Sequence, residues 1–269
     1  MRRVTQDSWL GLLFSGLSAL VLYGLLKPSA ATPSATAVPS EPFPAVATRA
    51  DTANVEKVAS YAIDAKFDAE LHRIKGRETI RFLNASPAPL AELWFHLYLN
   101  AFKNDKTLFL RSPFGAGRSG DKAHEYGYVD VKKLTIVGGN GDDLWANRDR
   151  HSPNDPDDET DLRVPLASPL EPGATLTLEL EFEDQMPEIV ERTGFAGSFH
   201  FFGQWFPKLA RLEPDGQFAH FAFHAQSEFY ADFGDYDVRL DVPSDYRVGA
   251  TGVLSHESES KGRKVLEYR

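Results

Sequence analysis

Residues 61–82 read YAIDAKFDAELHRIKGRETIRF. Tyr61, Ile63, Ala65, Phe67 and Ala69 alternate with polar residues, which is the period of a strand buried on one face only. Lys75-Gly76 supplies a turn, and Glu78 to Phe82 returns as the second arm of a hairpin. The same pattern recurs downstream. Asn84 to Pro89 breaks the chain, and Leu93 to Leu99 (LWFHLYL) alternates again. Val129 to Val137 forms an apolar run stopped by Gly138-Gly139. Leu176, Leu178, Leu180 and Phe182 follow the Pro172-Gly173 turn, and Tyr236, Val238, Leu240 and Val242 end at Pro243. Val248 to Leu254 and Val265 to Tyr268 read as two more short strands. Many short strands joined by Gly, Pro, Asn and Asp turns predict an all-β fold, a saddle-like β-sandwich of mostly antiparallel strands. No repeat of fixed period is visible. Lys264 to Arg269 is still alternating at the last residue, so a truncated reading frame is expected.

Ahead of this body, Trp9 to Leu26 (WLGLLFSGLSALVLYGLL) carries no charge and follows Arg2 and Arg3. As a helix it would be roughly 27 Å long, near the thickness of a bilayer core. It is longer than the apolar region of an ordinary secretory signal. One N-terminal transmembrane or signal helix is therefore expected over 1–27, with the body outside the cytoplasm by the positive-inside rule. An uncleaved signal anchor is the favoured form. Cleavage near Ser29-Ala30-Ala31, giving a secreted or periplasmic protein, is the alternative. Residues 28–54, rich in Pro, Ala, Ser and Thr, read as an extended linker, and the β domain as 55–269.

Composition sets the outer bounds. The 269 residues are 42% hydrophobic and 25% charged, ordinary for a folded protein. There is no cysteine, which removes disulfides, thiolate metal sites and a cysteine nucleophile. A net charge of −10 argues against a nucleic-acid partner, for which a basic stripe is the expected footprint. The basic start and acidic body instead suit a cell-envelope protein held to membrane through Trp9 to Leu26.

Motifs for chemistry are sparse. His220 and His224 (HFAFH) have the i, i+4 spacing of a helical zinc pair, but Phe221 stands where H-E-x-x-H needs Glu. Their aromatic neighbours favour a strand, which would hold the imidazoles roughly 13 Å apart. His124-Glu125 and His256-Glu257 fail the same motif. Asn154 to Asp161 (NDPDDETD) lacks the EF-hand pattern and reads as a solvated acidic loop. Gly115 to Gly120 (GAGRSG) lacks the ending of a phosphate loop and reads as a turn, and no G-x-S-x-G elbow occurs. No metal ligand and no catalytic residue is therefore assigned. Phe195 to Phe233 is strongly aromatic, the composition of core or interface. Gln204 and Glu228 stand inside it as polar exceptions that need partners, structural or ligand.

The order of five stretches resembles the N-terminal domain of the aminopeptidase N and leukotriene A-four hydrolase-like zinc metallopeptidases, the gluzincins. The stretches are Tyr61 to Ser86, Leu90 to Phe102, Asp157 to Phe182, Trp205 to Gly216, and Ser227 to Leu254. The resemblance implies a β saddle standing before a thermolysin-like catalytic domain on the same polypeptide. Zinc is expected only in that missing domain, because neither H-E-x-x-H nor G-x-M-E-N occurs here. It also implies one Gln or Glu that helps hold the free amine of a peptide substrate. Alignment on Trp205-Phe206-Pro207 points to Gln204, and alignment back from Pro243 places Glu228 on a structural acidic position. Two functions follow: a non-catalytic accessory domain of an envelope-bound aminopeptidase, or a stand-alone β-sandwich that binds a partner or ligand.

Overall fold

The structure, a computed structural model, describes residues 58–113, 125–188 and 192–269. The expected anchor, the whole 28–54 linker and the Gly115–Gly120 loop lie outside the described residues. Among the described residues no helix is long and apolar enough to cross a membrane.

The chain is mostly strand. In order come β1 (Ala59–Asp68), β2 (Arg73–Leu83), β3 (Leu90–His96), β4 (Tyr128–Ile136), β5 (Asp161–Leu170) and β6 (Thr175–Gln185). The short strands β7 (Gly194–Ala196), β8 (Phe199–Phe201), β9 (Lys208–Leu209), β10 (Arg211–Leu212) and β11 (Phe218–Ala219) follow. Then come β12 (Gly234–Pro243), β13 (Leu254–Ser260) and β14 (Arg263–Tyr268). Seven of them form one sheet in the order β13-β14-β12-β1-β2-β6-β4, and β5-β3-β9 form a second. β1 pairs antiparallel with β2 but parallel with β12, Ala59 opposite Gly234 and Lys66 opposite Asp241. The large sheet is therefore mixed, not uniformly antiparallel.

Period-2 alternation decides which face is covered. Tyr61, Ile63, Ala65 and Phe67 of β1, Ile74, Ile80 and Phe82 of β2, and Leu178, Leu180 and Phe182 of β6 are all buried. They pack in one core with Leu93, Phe95, Leu162, Val164 and Leu209 of the smaller sheet. The outer face is a charged ladder, with Lys75 opposite Glu183 and Arg77 opposite Glu181, at 3.1 and 2.8 Å. Such exposed cross-strand pairs fix register more than they stabilise.

Four expectations need correction. The first hairpin turns at Ala69–His72, not at Lys75-Gly76. Asp68 accepts the Glu70 and Leu71 amides at 3.1 Å, and His72 takes a positive φ of 51°. Gly76 lies inside β2 because the Phe182 ring crosses it; a Cβ there would stand 2.2 Å from Phe182 Cζ. The run to Leu99 stops being strand at His96, and Tyr98–Phe102 form a 3-10 turn. That turn is buried on every side, so alternation carried no information about it. Of Val248 to Leu254, only Leu254 belongs to a strand. Gly252, with φ +96°, precedes it.

The fourth correction is the acidic run. Ser152, Asp155, Asp158, Thr160 and Asp161 are buried, not solvated. Asp158 Oδ1 accepts Ser152 Oγ and Thr160 Oγ1 at 2.6 Å and the Thr160 amide at 2.9 Å, while Oδ2 accepts the Leu108 amide at 3.2 Å. Asp155 pairs with Arg111. These carboxylates point inward because they supply the acceptors that the surrounding loop's donors require.

β5 is a strand that its two prolines conceal. It lies at the edge of the small sheet, the place where a residue without an amide hydrogen is tolerated.

Candidate functional site

The 3-10 turn after β3 and the loops 107–113 and 223–229 enclose a cleft of about 390 Å³. Its floor is aromatic. Phe109 stacks on Phe223 at 5.3 Å and Phe223 on Phe229 at 5.0 Å, while Tyr98 meets both Phe223 and Phe229 edge-on. Hydrogen bonds hold each wall. Thr107 accepts the Leu110 amide at 3.3 Å, Asp158 the Leu108 amide, and Thr160 Oγ1 the Phe223 amide at 2.8 Å. Tyr98 Oη accepts the Tyr230 amide at 3.0 Å and donates to the Tyr230 carbonyl at 3.2 Å. Burial pushes the Tyr98 phenol up to about 12, so it stays neutral and can play both roles.

The rim is charged. Arg192 pairs with Glu228 at 2.9 Å and lies 5.0 Å above the Phe229 ring. Glu228, a residue singled out from sequence, thus sits on the cleft rim and already has a partner. Gly203 also lines the cleft and approaches the Arg192 carbonyl so closely that a Cβ would stand 2.0 Å from it.

Gln204 follows Gly203 with φ +54°. Its side-chain oxygen accepts the Lys208 ammonium. Lys208 lies 4.5 Å above the Phe206 ring and is buried. Burial lowers it to about 8, against the opposing pull of the Glu78 carboxylate. Glu78 is itself buried on the inner face of β2, with neither carboxylate oxygen hydrogen-bonded. Burial raises its pKa well above the usual range, and Lys208 opposes this. The two sequence candidates therefore have different partners: Glu228 the Arg192 of the cleft rim, Gln204 the buried Lys208 of β9.

The histidines are also separated. His220 stacks on Trp94 at 3.4 Å and its Nδ1 meets Asp161 Oδ2 at 2.8 Å. His224 Nδ1 accepts the Gln226 amide at 3.3 Å in a turn closed by Ser227. The HFAFH segment leaves strand geometry after Ala219, contrary to the expected extended run. His96 approaches Asp161 Oδ1 at 3.8 Å and is fully buried. Burial lowers it to about 3, with Lys208 and His220 adding to the effect. Asp161 is raised to about 6 by burial, partly offset by His220. Among the described residues no three His, Asp or Glu side chains are grouped to hold a metal ion.

Arg192, Tyr98 and Lys208 were not found from sequence. Glu78 carried a readable signal: it occupies an apolar-parity position between Ile74 and Ile80.

No known family profile and no curated protein matches the chain. Solved structures do. An M1 zinc metallopeptidase from Deinococcus radiodurans matches with a TM-score of 0.44 at 15% identity, over 79% of this chain and 39% of that one. A point mutant of it bound to a Tyr-Ser-Ala substrate gives 0.43 at 17%, over 79% and 38%. A mutant two-domain M1 zinc metallopeptidase bound to L-arginine gives 0.42 at 16%, over 79% and 38%. The chain thus spans about two fifths of the length of these proteins. A likeness of this degree carries no function across.

Proposed function

We propose that residues 55–269 are a non-catalytic N-terminal β domain of a membrane-anchored zinc-aminopeptidase-like protein, where they shape a cleft for peptide N-termini. The observation that supports this is the position of the five resembling stretches in the fold. Tyr61 to Ser86 contains the β1–β2 hairpin, and Leu90 to Phe102 contains β3 with its 3-10 turn. Asp157 to Phe182 covers β5 and most of β6, Trp205 to Gly216 contains β9 and β10, and Ser227 to Leu254 contains β12. The resemblance therefore falls on the framework and on one wall of the cleft.

On this reading the chain alone lacks the metal and base that hydrolysis at neutral pH requires. Metal analysis and a fluorogenic aminopeptidase assay on the purified 51–269 body test it. No stoichiometric zinc and no turnover are expected; one bound zinc with turnover overturns the proposal. With a catalytic half supplied, Gln204→Ala or Glu228→Ala should raise KM if either side chain faces the substrate amine. The anchor is tested by membrane fractionation, and a mature protein beginning after Ala31 would defeat it. The aromatic cleft favours a second reading, a stand-alone binding module of the cell envelope. Coding sequence beyond Arg269 separates the two, since only the first requires G-x-M-E-N and H-E-x-x-H there.

A further inference from the structure

At the far end of the β1–β2 hairpin the His72 and His200 rings meet, Nδ1 of the first 2.8 Å from Nε2 of the second. His200 Nδ1 lies 3.2 Å from the Ser198 carbonyl oxygen. A carbonyl only accepts, so His200 carries its proton on Nδ1 and presents Nε2 as an acceptor. His72 must then donate from Nδ1, which leaves its Nε2 as the basic nitrogen of the pair. The assignment is a chain of donors running from the β1–β2 turn into the β7–β8 hairpin.

We propose that this pair is a pH-sensitive clasp holding the β7–β8 hairpin on the β1–β2 turn, tolerating one proton and opening on the second. A proton on His72 Nε2 leaves the shared hydrogen bond in place, now charge-assisted. The second can add only to His200 Nε2. That removes the acceptor and sets two imidazolium rings nitrogen to nitrogen, their centroids 5.1 Å apart and their planes tilted by 34°.

Among the described residues neither ring has a carboxylate partner: His72 bonds His200, and His200 bonds the Ser198 carbonyl. His200 is enclosed by Phe67 of β1 at 4.6 Å, Phe202 at 6.0 Å and Tyr246 at 5.8 Å. His72 stacks on Phe195 of β7 at 3.6 Å. Most of the described charged groups on the packed elements are engaged elsewhere or exposed, while Glu188 is half-buried. Asp68 accepts the Glu70 and Leu71 amides, and Arg73 bonds Gln185 Oε1 at 3.0 Å. Glu188 bridges Phe195 through backbone, and Asp245 and Arg247 beside Tyr246 are exposed. Burial and the neighbouring His72 ring lower the pKa of His200 below the usual imidazole range. Its folded pKa is below its unfolded one, so its contribution to holding the hairpin is complete above the unfolded value and declines as pH falls through that window.

The hairpin is the element that can respond. β7 and β8 pair over three residues, and β8 carries Phe199 and Phe201 at 59% and 48% exposure on one face. Opening the clasp would free this aromatic hairpin while the large sheet keeps its own pairings.

Hydrogen exchange followed by mass spectrometry on the full chain in detergent tests the clasp, with nitrogen-15 imidazole spectra to read the tautomers. After correction for intrinsic rates, exchange in 194–201 should rise at least tenfold between pH 7 and pH 5. Peptides of β1 and β2 should change less than twofold. His200→Phe, which suits the aromatic surroundings, and His72→Asn, which suits a positive φ, should each abolish the pH step. The proposal is overturned by a step that survives both variants, by equal changes in hairpin and sheet, by no step at all, or by a neutral His200 protonated on Nε2.

Discussion

Replacing Asp158 by Ala should be among the most damaging single changes in the molecule. Its carboxylate accepts four donors, and the Ser152, Thr160 and Asp158 side chains around it are buried. A hydrogen bond to a charged acceptor contributes roughly 1.5–3 kcal/mol, and a buried donor left unmatched costs about 1–3 kcal/mol. These figures overlap within one network, so their full sum is an overestimate; about 4–6 kcal/mol is expected for Asp158→Ala. For a domain of this size that lowers Tm by roughly 10–20 °C. Asp158→Asn separates the two oxygens. Its carbonyl can keep the three bonds at Oδ1, while its amide faces the Leu108 N–H, donor against donor, for a loss of about 2 kcal/mol. Urea unfolding of the 51–269 body, followed by tryptophan fluorescence, supplies both numbers. A loss below about 1 kcal/mol for Ala, or equal losses for Ala and Asn, would show that the acidic run is solvated after all and refute the buried-knot account.

Gly76→Ala should destabilise by about 1–3 kcal/mol, because the new Cβ meets a buried ring that has little room to shift. Adding Phe182→Leu should recover part of the loss in the same unfolding assay, and no recovery would locate the strain elsewhere. Acid should act with opposite signs at two neighbours. His96, neutral down to about 3 against 6.5 when unfolded, loses stabilisation as pH falls below 6.5. Asp161, protonated from about 6 against 3.8, gains it between those values. Asp161→Asn removes the offset, so urea midpoints should fall more steeply between pH 6 and pH 4 than in the parent; a shallower fall would contradict the assignment. Arg192→Ala should change stability by less than about 1 kcal/mol, since its ion pair with Glu228 is exposed, and a larger thermal shift would give the rim a structural role.

The strands that alternate between a buried and a solvated face were legible in the sequence. β1, β6 and β12 lie where the pattern places them because one side of each meets the core and the other meets water or a charged ladder. Legibility failed where that contrast disappears. Tyr98–Phe102 is buried all round, and β5 carries two prolines on an edge where their missing amides do no harm. The acidic run misled for a different reason: composition reports charge, while the number of backbone donors needing acceptors is a property of the folded loop. The polar exceptions Gln204 and Glu228 were visible, but their partners were not. Lys208 lies four residues from the first and Arg192 thirty-six residues from the second, and nothing local marks either pairing.

The parallel seam between β1 and β12 bears on how the chain is made. Asp64 and Arg239, which face each other across it at 2.9 Å, are separated by 175 residues. At roughly 5–20 residues per second, a ribosome needs roughly 9–35 s to deliver the second after the first. β2 can pair with β1, and β6 with β2, well before then, through antiparallel pairings that close sooner. During that interval the other edge of β1 has its amides and carbonyls unpaired, beside an apolar face that already holds Tyr61, Ile63 and Phe67. An incomplete edge of this kind invites a strand from another nascent chain. Asp64 and Lys66, alternating outward along β1, put charge on that edge while it waits.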